Sequence, residues 1–276
     1  MKPRSNDSEA AGQPATAVGA AERSQVTRVG RIKACLNGAR SRQEHPAVPV
    51  TPPQLAAEAA AAVAAGAEAI HLHPRGGDGG ESLRAGEVGA AVGAVRRACE
   101  GIPVGVSTGL WIAGGDVIAR RAAVAEWRGL TPGERPDFAS VNLSEPGTAG
   151  LLAVLDAAGV TAEAGVWSVA DARAAAALRP AAGWLRILVE VAGTPSAIAL
   201  EVASQILDEL DALDVTAPRL LHSENEACWA LVHRAGQLGL ATRIGLEDTI
   251  TGPAGEPVSG NAELTQMALA IWTAAA

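Results

Sequence analysis

Eight times along this chain a short β-rich run gives way to an Ala-rich stretch with helical patterning, and that alternation leaves few folds open. The strand-like runs are "RIKACLNGA", "AIHLHPR", "PVGVSTG", "FASVNLSE", "TAEAGVW", "LRILVEVAG", "RLLHSE" and "TRIGLED". The helical stretches that follow them cover residues 52–65, 85–98, 115–127, 148–158, 169–178, 195–213, 224–238 and 261–275. Parallel strands need crossover helices, and eight strand–helix pairs in 276 residues predict a (β/α)8 TIM barrel. An open doubly wound sheet is the alternative, but no G-x-G-x-x-G stands at a first strand–helix turn. The Gly-rich "GGDGGE" comes after the second strand and is expected to form a flexible loop. Residues 1–27 mix Ser, Pro, Gly, Ala and charge without periodicity. They are expected to be a disordered tail, leaving 28–276 as a single catalytic barrel domain.

Charge and cysteine usage narrow the partners. A net charge of -8 argues against nucleic acid, whose phosphates need a basic face, but not against a phosphorylated small ligand held by local arginines. No apolar run reaches the length of a membrane span, and no continuous apolar stretch opens the chain as a secretory leader would. Cys35, Cys99 and Cys228 are widely spaced and odd in number, so neither a disulfide framework nor a CxxC site follows. A reducing cytoplasm is the expected compartment.

The reactive residues cluster at the ends of the strand-like runs. His71 and His73 stand two apart in "AIHLHPR". In a strand such residues point to one face, which suits two ligands on one metal as well as two polar residues leaving the core. Ser107 with Thr108, Ser140 with Asn142, Glu163, His222, and Glu247 with Asp248 occupy corresponding places. In a barrel those ends converge on one mouth. Glu247 would complete a His2Glu set that leaves a zinc position open, or the Glu247–Asp248 pair could cap the turn that follows.

With "NGA" and "PVTP" after the first strand, "GAEAIHLHPR", "VSTG", "RIGLED" and "GNAEL", the chain resembles the β-keto acid cleavage enzymes, of which 3-keto-5-aminohexanoate cleavage enzyme is the founding member. The similarity runs from Ile32 to about Ile271. The resemblance implies a zinc-containing TIM barrel that uses acetyl-CoA to convert a β-keto acid into acetoacetate and the CoA ester of the remaining acyl part. It also implies a homo-oligomer, a tetramer or dimer. Position by position, His71, His73 and Glu247 match the zinc ligands, Ser107 the active-site serine, Asp248 the catalytic carboxylate and Arg243 its partner. Ser140 stands where relatives commonly have threonine, and Thr108 and Asn142 beside it are candidate substrate contacts. A metal-dependent aldolase or hydrolase without CoA is the competing function, and a catalytically idle ligand-binding barrel is a third.

Two departures stand out. Relatives read P-E-x-E on the fifth strand, whereas "TAEAGVW" keeps Glu163 and has Gly165 at the second glutamate. Glu163 shares a strand face with Gly165, so either it reaches the arginine–aspartate network or the network lacks this member. After the first strand, Arg40 replaces an acid that in the founding enzyme can pair with a substrate amine. The inverted charge implies a substrate other than a cationic amino-keto acid, with a keto diacid a better match for a guanidinium, unless Arg40 pairs with an internal acid.

Overall fold

The computed structural model describes residues 29–178 and 180–276, so the tail expected over 1–27 lies outside the described residues. The strands are β1 (Ile32–Cys35), β2 (Ala69–Leu72), β3 (Val104–Ser107), β4 (Phe138–Asn142), β5 (Thr161–Val166), β6 (Arg186–Val191), β7 (Arg219–Ser223) and β8 (Thr242–Ile244). Each is followed by a helix: α1 (Pro52–Ala64), α2 (Ala85–Ala98), α3 (Val117–Ala125), α4 (Thr148–Ala158), α5 (Val169–Ala177), α6 (Ser196–Ala212), α7 (Cys228–Gln237) and α8 (Asn261–Ala275). The strands form one sheet in the order β7-β6-β5-β4-β3-β2-β1-β8, with every neighbouring pair parallel. A parallel bridge between Leu220 and Ala241 closes the ring, and Leu221 N–H donates to Ala241 O at 2.9 Å. The protein is a (β/α)8 barrel.

Short 3-10 turns account for the differences from the expected helix limits. Leu110–Ala113 and Glu126–Gly129 flank α3, and Asn225–Ala227 precedes α7. Asp116 ends the first of these connections, its Oδ1 accepting from Ile118 and Ala119 N–H and so fixing where α3 starts. No helix among the described residues is long and apolar enough to cross a membrane.

Alternation along each strand sorts the side chains. Ala34, Ile70, Val106, Ala164 and Val189 face outward into an apolar shell shared with Leu55, Val92, Leu155 and Ile206 of the helices. Burying each aliphatic side chain there contributes roughly 1.5–3 kcal/mol. Inside the ring, Leu188, Leu220 and Ala241, with Val29 packed against them, form an apolar plug. Lys33 Nζ on β1 meets both oxygens of Glu163 on β5, at 2.7 and 2.6 Å, a contact that crosses the barrel. Arg186 Nε lies 3.2 Å from Glu163 Oε1, and both cations sit over the Phe138 ring. Breaking one partner of so buried a cluster costs about 3–5 kcal/mol.

Candidate active site

The last turn of β2 and the segment beyond β8 build the centre of the mouth. His71 and His73 point inward, two residues apart, with ring centroids 5.2 Å apart and planes at 81°. Glu247 lies three residues past β8 and brings Oε2 to 3.7 Å from His71 Nε2 and 3.6 Å from His73 Nε2. Two donors bound to one zinc at ~2.1 Å in tetrahedral geometry stand about 3.4 Å apart, so each carboxylate–imidazole spacing is close to that of two ligands sharing a divalent cation, and the three ligand atoms lie within 4.8 Å of one another. Glu247 Oε2 is buried without a hydrogen-bond partner, as expected of an atom reserved for an ion. His71, His73 and Glu247 are the metal-competent group among the described residues.

The motif residues around them act as clamps. Asn37 Oδ1 accepts from His73 N–H at 2.9 Å, while its Nδ2 donates to His73 O at 2.9 Å and Pro49 O at 3.1 Å. Asn261 Oδ1 accepts from Leu246 N–H at 2.9 Å, and its Nδ2 donates to Leu36 O and Glu58 Oε2. Gly38 has φ +52, and a Cβ there would lie 2.5 Å from Glu247 Cγ, so only glycine leaves room for the ligand. At Gly245 a Cβ would fall 1.9 Å from Cys35 O, so this glycine lets the ligand-bearing segment run against β1. "NGA", "RIGLED" and "GNAEL" are thus one mechanical unit.

Charge at the centre is uneven. Burial pushes His71 down to about 3. Burial opposes the charged form of His73 too, but the Glu247 and Glu81 carboxylates outweigh it and raise His73 to about 9. Burial works against the Glu247 carboxylate, yet Arg243, His71 and His73 hold it well below the usual carboxylate range. Arg243 Nη2 donates to Glu247 Oε1 at 2.9 Å and to Asp248 Oδ1 at 2.7 Å, and Nε donates to the same Asp248 oxygen at 3.0 Å. Asp248 Oδ2 is buried and unpartnered. Burial, with Glu247 beside it, raises Asp248 to about 6 against the pull of Arg243 and His222. A carboxylate poised near neutrality, with one oxygen pinned and one free, has the attributes of a general base.

The other expected residues fall around this centre. Ser107 Oγ accepts from Gly109 N–H at 3.2 Å, which leaves the hydroxyl proton to donate elsewhere. Ser140 pairs with Ser107 across β3 and β4. Thr108 Oγ1 donates to Ser140 O, and Asn142 Nδ2 donates to Glu145 Oε1 at 3.0 Å, so both brace the loops beside the mouth. Arg40 donates to Glu247 O at 3.3 Å and Asn225 Oδ1 at 2.7 Å, and contacts the exposed Glu44 at 3.3 Å. Glu163 is not brought to Arg243 or Asp248 by a hydrogen bond; Lys33 and Arg186 occupy it and, against burial, hold it at about 2. At Gly165 a Cβ would lie 2.8 Å from Asn142 Oδ1, so the place of the missing glutamate is closed.

Three contributors were not singled out as site residues in advance. Glu190 on β6 is buried 3.3 Å from His222 Nε2, and His222 Nδ1 lies 3.7 Å from Asp248 Oδ1. Burial opposes the Glu190 charge, but Arg243 and His222 hold it at about 2. The signal was an acid at an inward position of the apolar "RILVEV". Glu81 closes the Gly-rich loop and accepts from His73 Nδ1 through Oε1 and from Trp111 Nε1 through Oε2 at 3.0 Å. Trp111 stacks on His73 with ring centroids 6.4 Å apart.

A family model described as beta-keto acid cleavage enzyme matches residues 31–276. Among solved structures, the binary complex of ObcA with oxaloacetate superposes with a TM-score of 0.64 at 19% identity, covering 82% of this chain and 63% of that one. The ternary complex of ObcA with a C4-CoA adduct and oxalate gives 0.65 at 19% identity, again over 82% and 63%. The carboxyl transferase domain of Rhizobium etli pyruvate carboxylase with pyruvate and biocytin gives 0.59 at 13% identity, covering 90% of this chain and 46% of that one. This chain therefore spans 63% of the length of the ObcA chain, and likenesses at these identities carry the barrel fold alone.

Proposed function

Because the chain belongs to the β-keto acid cleavage enzyme family, we propose that it is a zinc-dependent enzyme that takes a β-keto acid and acetyl-CoA to acetoacetate and the CoA ester of the remaining acyl part. The observation that carries this reading is the approach of Glu247 Oε2 to 3.7 and 3.6 Å from two imidazole nitrogens, next to the buried, unpartnered Asp248 Oδ2. A divalent cation held by His71, His73 and Glu247 would supply Lewis-acid stabilisation to the keto oxygen and to the enolate that forms from it.

The remaining chemistry falls to the chain's own side chains. Asp248 Oδ2 takes a proton from C2 of the keto acid, while Arg243 keeps the carboxylate oriented through its other oxygen. The C2 carbon then attacks the acetyl thioester carbonyl and CoA leaves as thiolate. The thiolate adds to the original keto carbon. The bond between C2 and that carbon breaks, giving the new acyl-CoA and the enolate of acetoacetate, which recovers its proton from Asp248. Each step places negative charge on an oxygen, and the Ser107 hydroxyl, with its proton unspent, is a donor for it, with Ser140 alongside. Thr108 and Asn142 orient the substrate indirectly, by holding the β3 and β4 loops.

The substrate in this reading carries an anionic or polar distal end. Arg40 sits beside the metal-ligating segment and spends one arm on the exposed Glu44, which a substrate carboxylate would displace. ObcA, which shares the barrel fold, is known in complexes with oxaloacetate and with a C4-CoA adduct, ligands of the chemical class that this reading assigns. A homo-oligomer belongs to the same proposal and is checked by light scattering.

The test is CoA-ester formation from acetyl-CoA and a panel of β-keto acids, with and without chelator. Turnover that requires acetyl-CoA and a metal supports the reading. Consumption of a keto acid without acetyl-CoA would point instead to an aldolase or hydrolase. In the same panel Arg40→Glu should shift preference away from diacids, and an unchanged preference would remove the distal-carboxylate assignment.

A further inference from the structure

One carboxylate in the mouth serves two masters. Glu81 Oε1 accepts from Nδ1 of His73, and Glu81 Oε2 accepts from the indole N–H of Trp111 at 3.0 Å. The indole also stacks on the His73 ring, 6.4 Å between centroids and 26° between planes. Imidazole, carboxylate and indole therefore close a triangle. Trp111 is nevertheless 46% exposed, in a chain whose Trp127 is fully buried. Its 3-10 turn is followed by Gly114 and Gly115, both with positive φ, so the backbone on that side offers little restraint. Glu81 is held at the other end, where a bridge to Arg75 and the Gly76 N–H to Gly80 O bond close its loop.

We propose that Glu81 makes Trp111 a metal-responsive wall of the mouth: when His73 ligates the ion, the shared carboxylate fixes the indole beside the site. A neutral histidine that binds metal through Nε2 carries its proton on Nδ1, and a partner that accepts this proton orients the ring and raises its basicity. With an ion bound, the polarised His73 imidazole would hold Glu81 more tightly through Nδ1. The second oxygen of the same carboxylate then holds the indole in a more ordered position. Coupling of this kind is reciprocal, so loss of the indole N–H also weakens the ion. The inference rests on the metal-binding reading given above but not on which keto acid is cleaved.

The experiment uses the full chain, stripped with chelator and titrated with Zn2+. Tryptophan emission with acrylamide quenching is followed, and affinity is measured against a chromophoric chelator. In the unaltered protein Zn2+ should reduce quenching of part of the emission. Trp111→Phe keeps an aromatic ring on a half-exposed position and should abolish most of that change, with a Kd weakened about threefold through the reciprocal coupling. Glu81→Gln should weaken Zn2+ about 10–100-fold and uncouple the emission from metal, with circular dichroism checking the fold. Unaltered Zn2+ affinity in Glu81→Gln, or a full metal-dependent change persisting in Trp111→Phe, would overturn the proposal alone. Absence of Zn2+ binding in the unaltered protein would overturn it together with the metal reading on which it stands.

Discussion

Two clusters of buried charge share the interior of this barrel, and they are built to opposite rules. In the lower one both oxygens of Glu163 are taken by Lys33, Arg186 adds a third contact, and the two cations lie over Phe138. In the upper one Glu247 Oε2, Asp248 Oδ2, His71 Nδ1 and both nitrogens of His222 are buried without hydrogen-bond partners. Engaging both oxygens of a buried carboxylate fixes a structure, whereas an unsatisfied buried polar atom costs roughly 1–3 kcal/mol and persists where it has work to do. The same residue types thus stabilise below and stay available above. If so, substitutions in the two clusters should separate stability from activity.

The largest separation is expected at Asp248. Asp248→Asn keeps the shape and most of the Arg243 contact but removes the proposed base, so kcat should fall about 10²–10⁴-fold. Bound metal and thermal midpoint should stay close to those of the unaltered protein. A comparable loss of stability would erase the distinction between the clusters. Below, Glu163→Ala should do the reverse and lower the unfolding free energy by about 3–5 kcal/mol in a denaturant titration, since it leaves the fully buried Lys33 ammonium without its carboxylate.

Acid should test the lower cluster through Glu163. Glu163 is held at about 2 in the folded chain, against roughly 4.3 when unfolded. Its contribution is complete above the unfolded value and disappears as pH falls from there through about 2, a loss on the order of 3 kcal/mol. Glu163→Gln should flatten that part of the stability curve. Metal acts on the upper cluster: Zn2+ at a hundred times its Kd should add about 2.7 kcal/mol to stability, and His71→Ala should abolish that gain.

This contrast also marks what the sequence could and could not convey. The strands were legible because Val, Ile and Leu alternate with polar or small residues between Gly- and Pro-rich turns, and eight such runs leave little choice of closure. The candidate metal ligands were legible because His71 and His73 are two apart and Glu247 closes another strand-like run, "TRIGLED". Depth inside the ring was not. Glu163 faces inward like the site residues, but the register that sets it beside Ser140 and Arg186 depends on strand tilt and shear, which no local pattern encodes. Glu81 was hidden differently: at the end of "GGDGGE" it reads as part of a flexible loop, and only folding brings it to His73 and Trp111. Arg40, read as a charge facing substrate, also ties to Asn225 at 2.7 Å from the loop after β7, a partner 185 residues away.

The smallest effect expected, and the one that sharpens the comparison most, is at His222. It is fully buried between Glu190, 3.3 Å from Nε2, and Asp248, 3.7 Å from Nδ1. Neither contact meets hydrogen-bond geometry. If His222 belonged with the lower cluster, replacing it would chiefly destabilise the fold. If it belongs with the upper one, its task is to keep two acids apart and Asp248 in place. His222→Gln preserves a polar side chain of similar reach and should lower kcat about tenfold, near 1.4 kcal/mol of barrier, with KM little changed. The pH profile of kcat should also move, because His222 helps to hold Asp248 down against burial. A pure stability loss with an unmoved profile would transfer His222 to the structural side, and the boundary between the clusters would then run above β7 rather than below it.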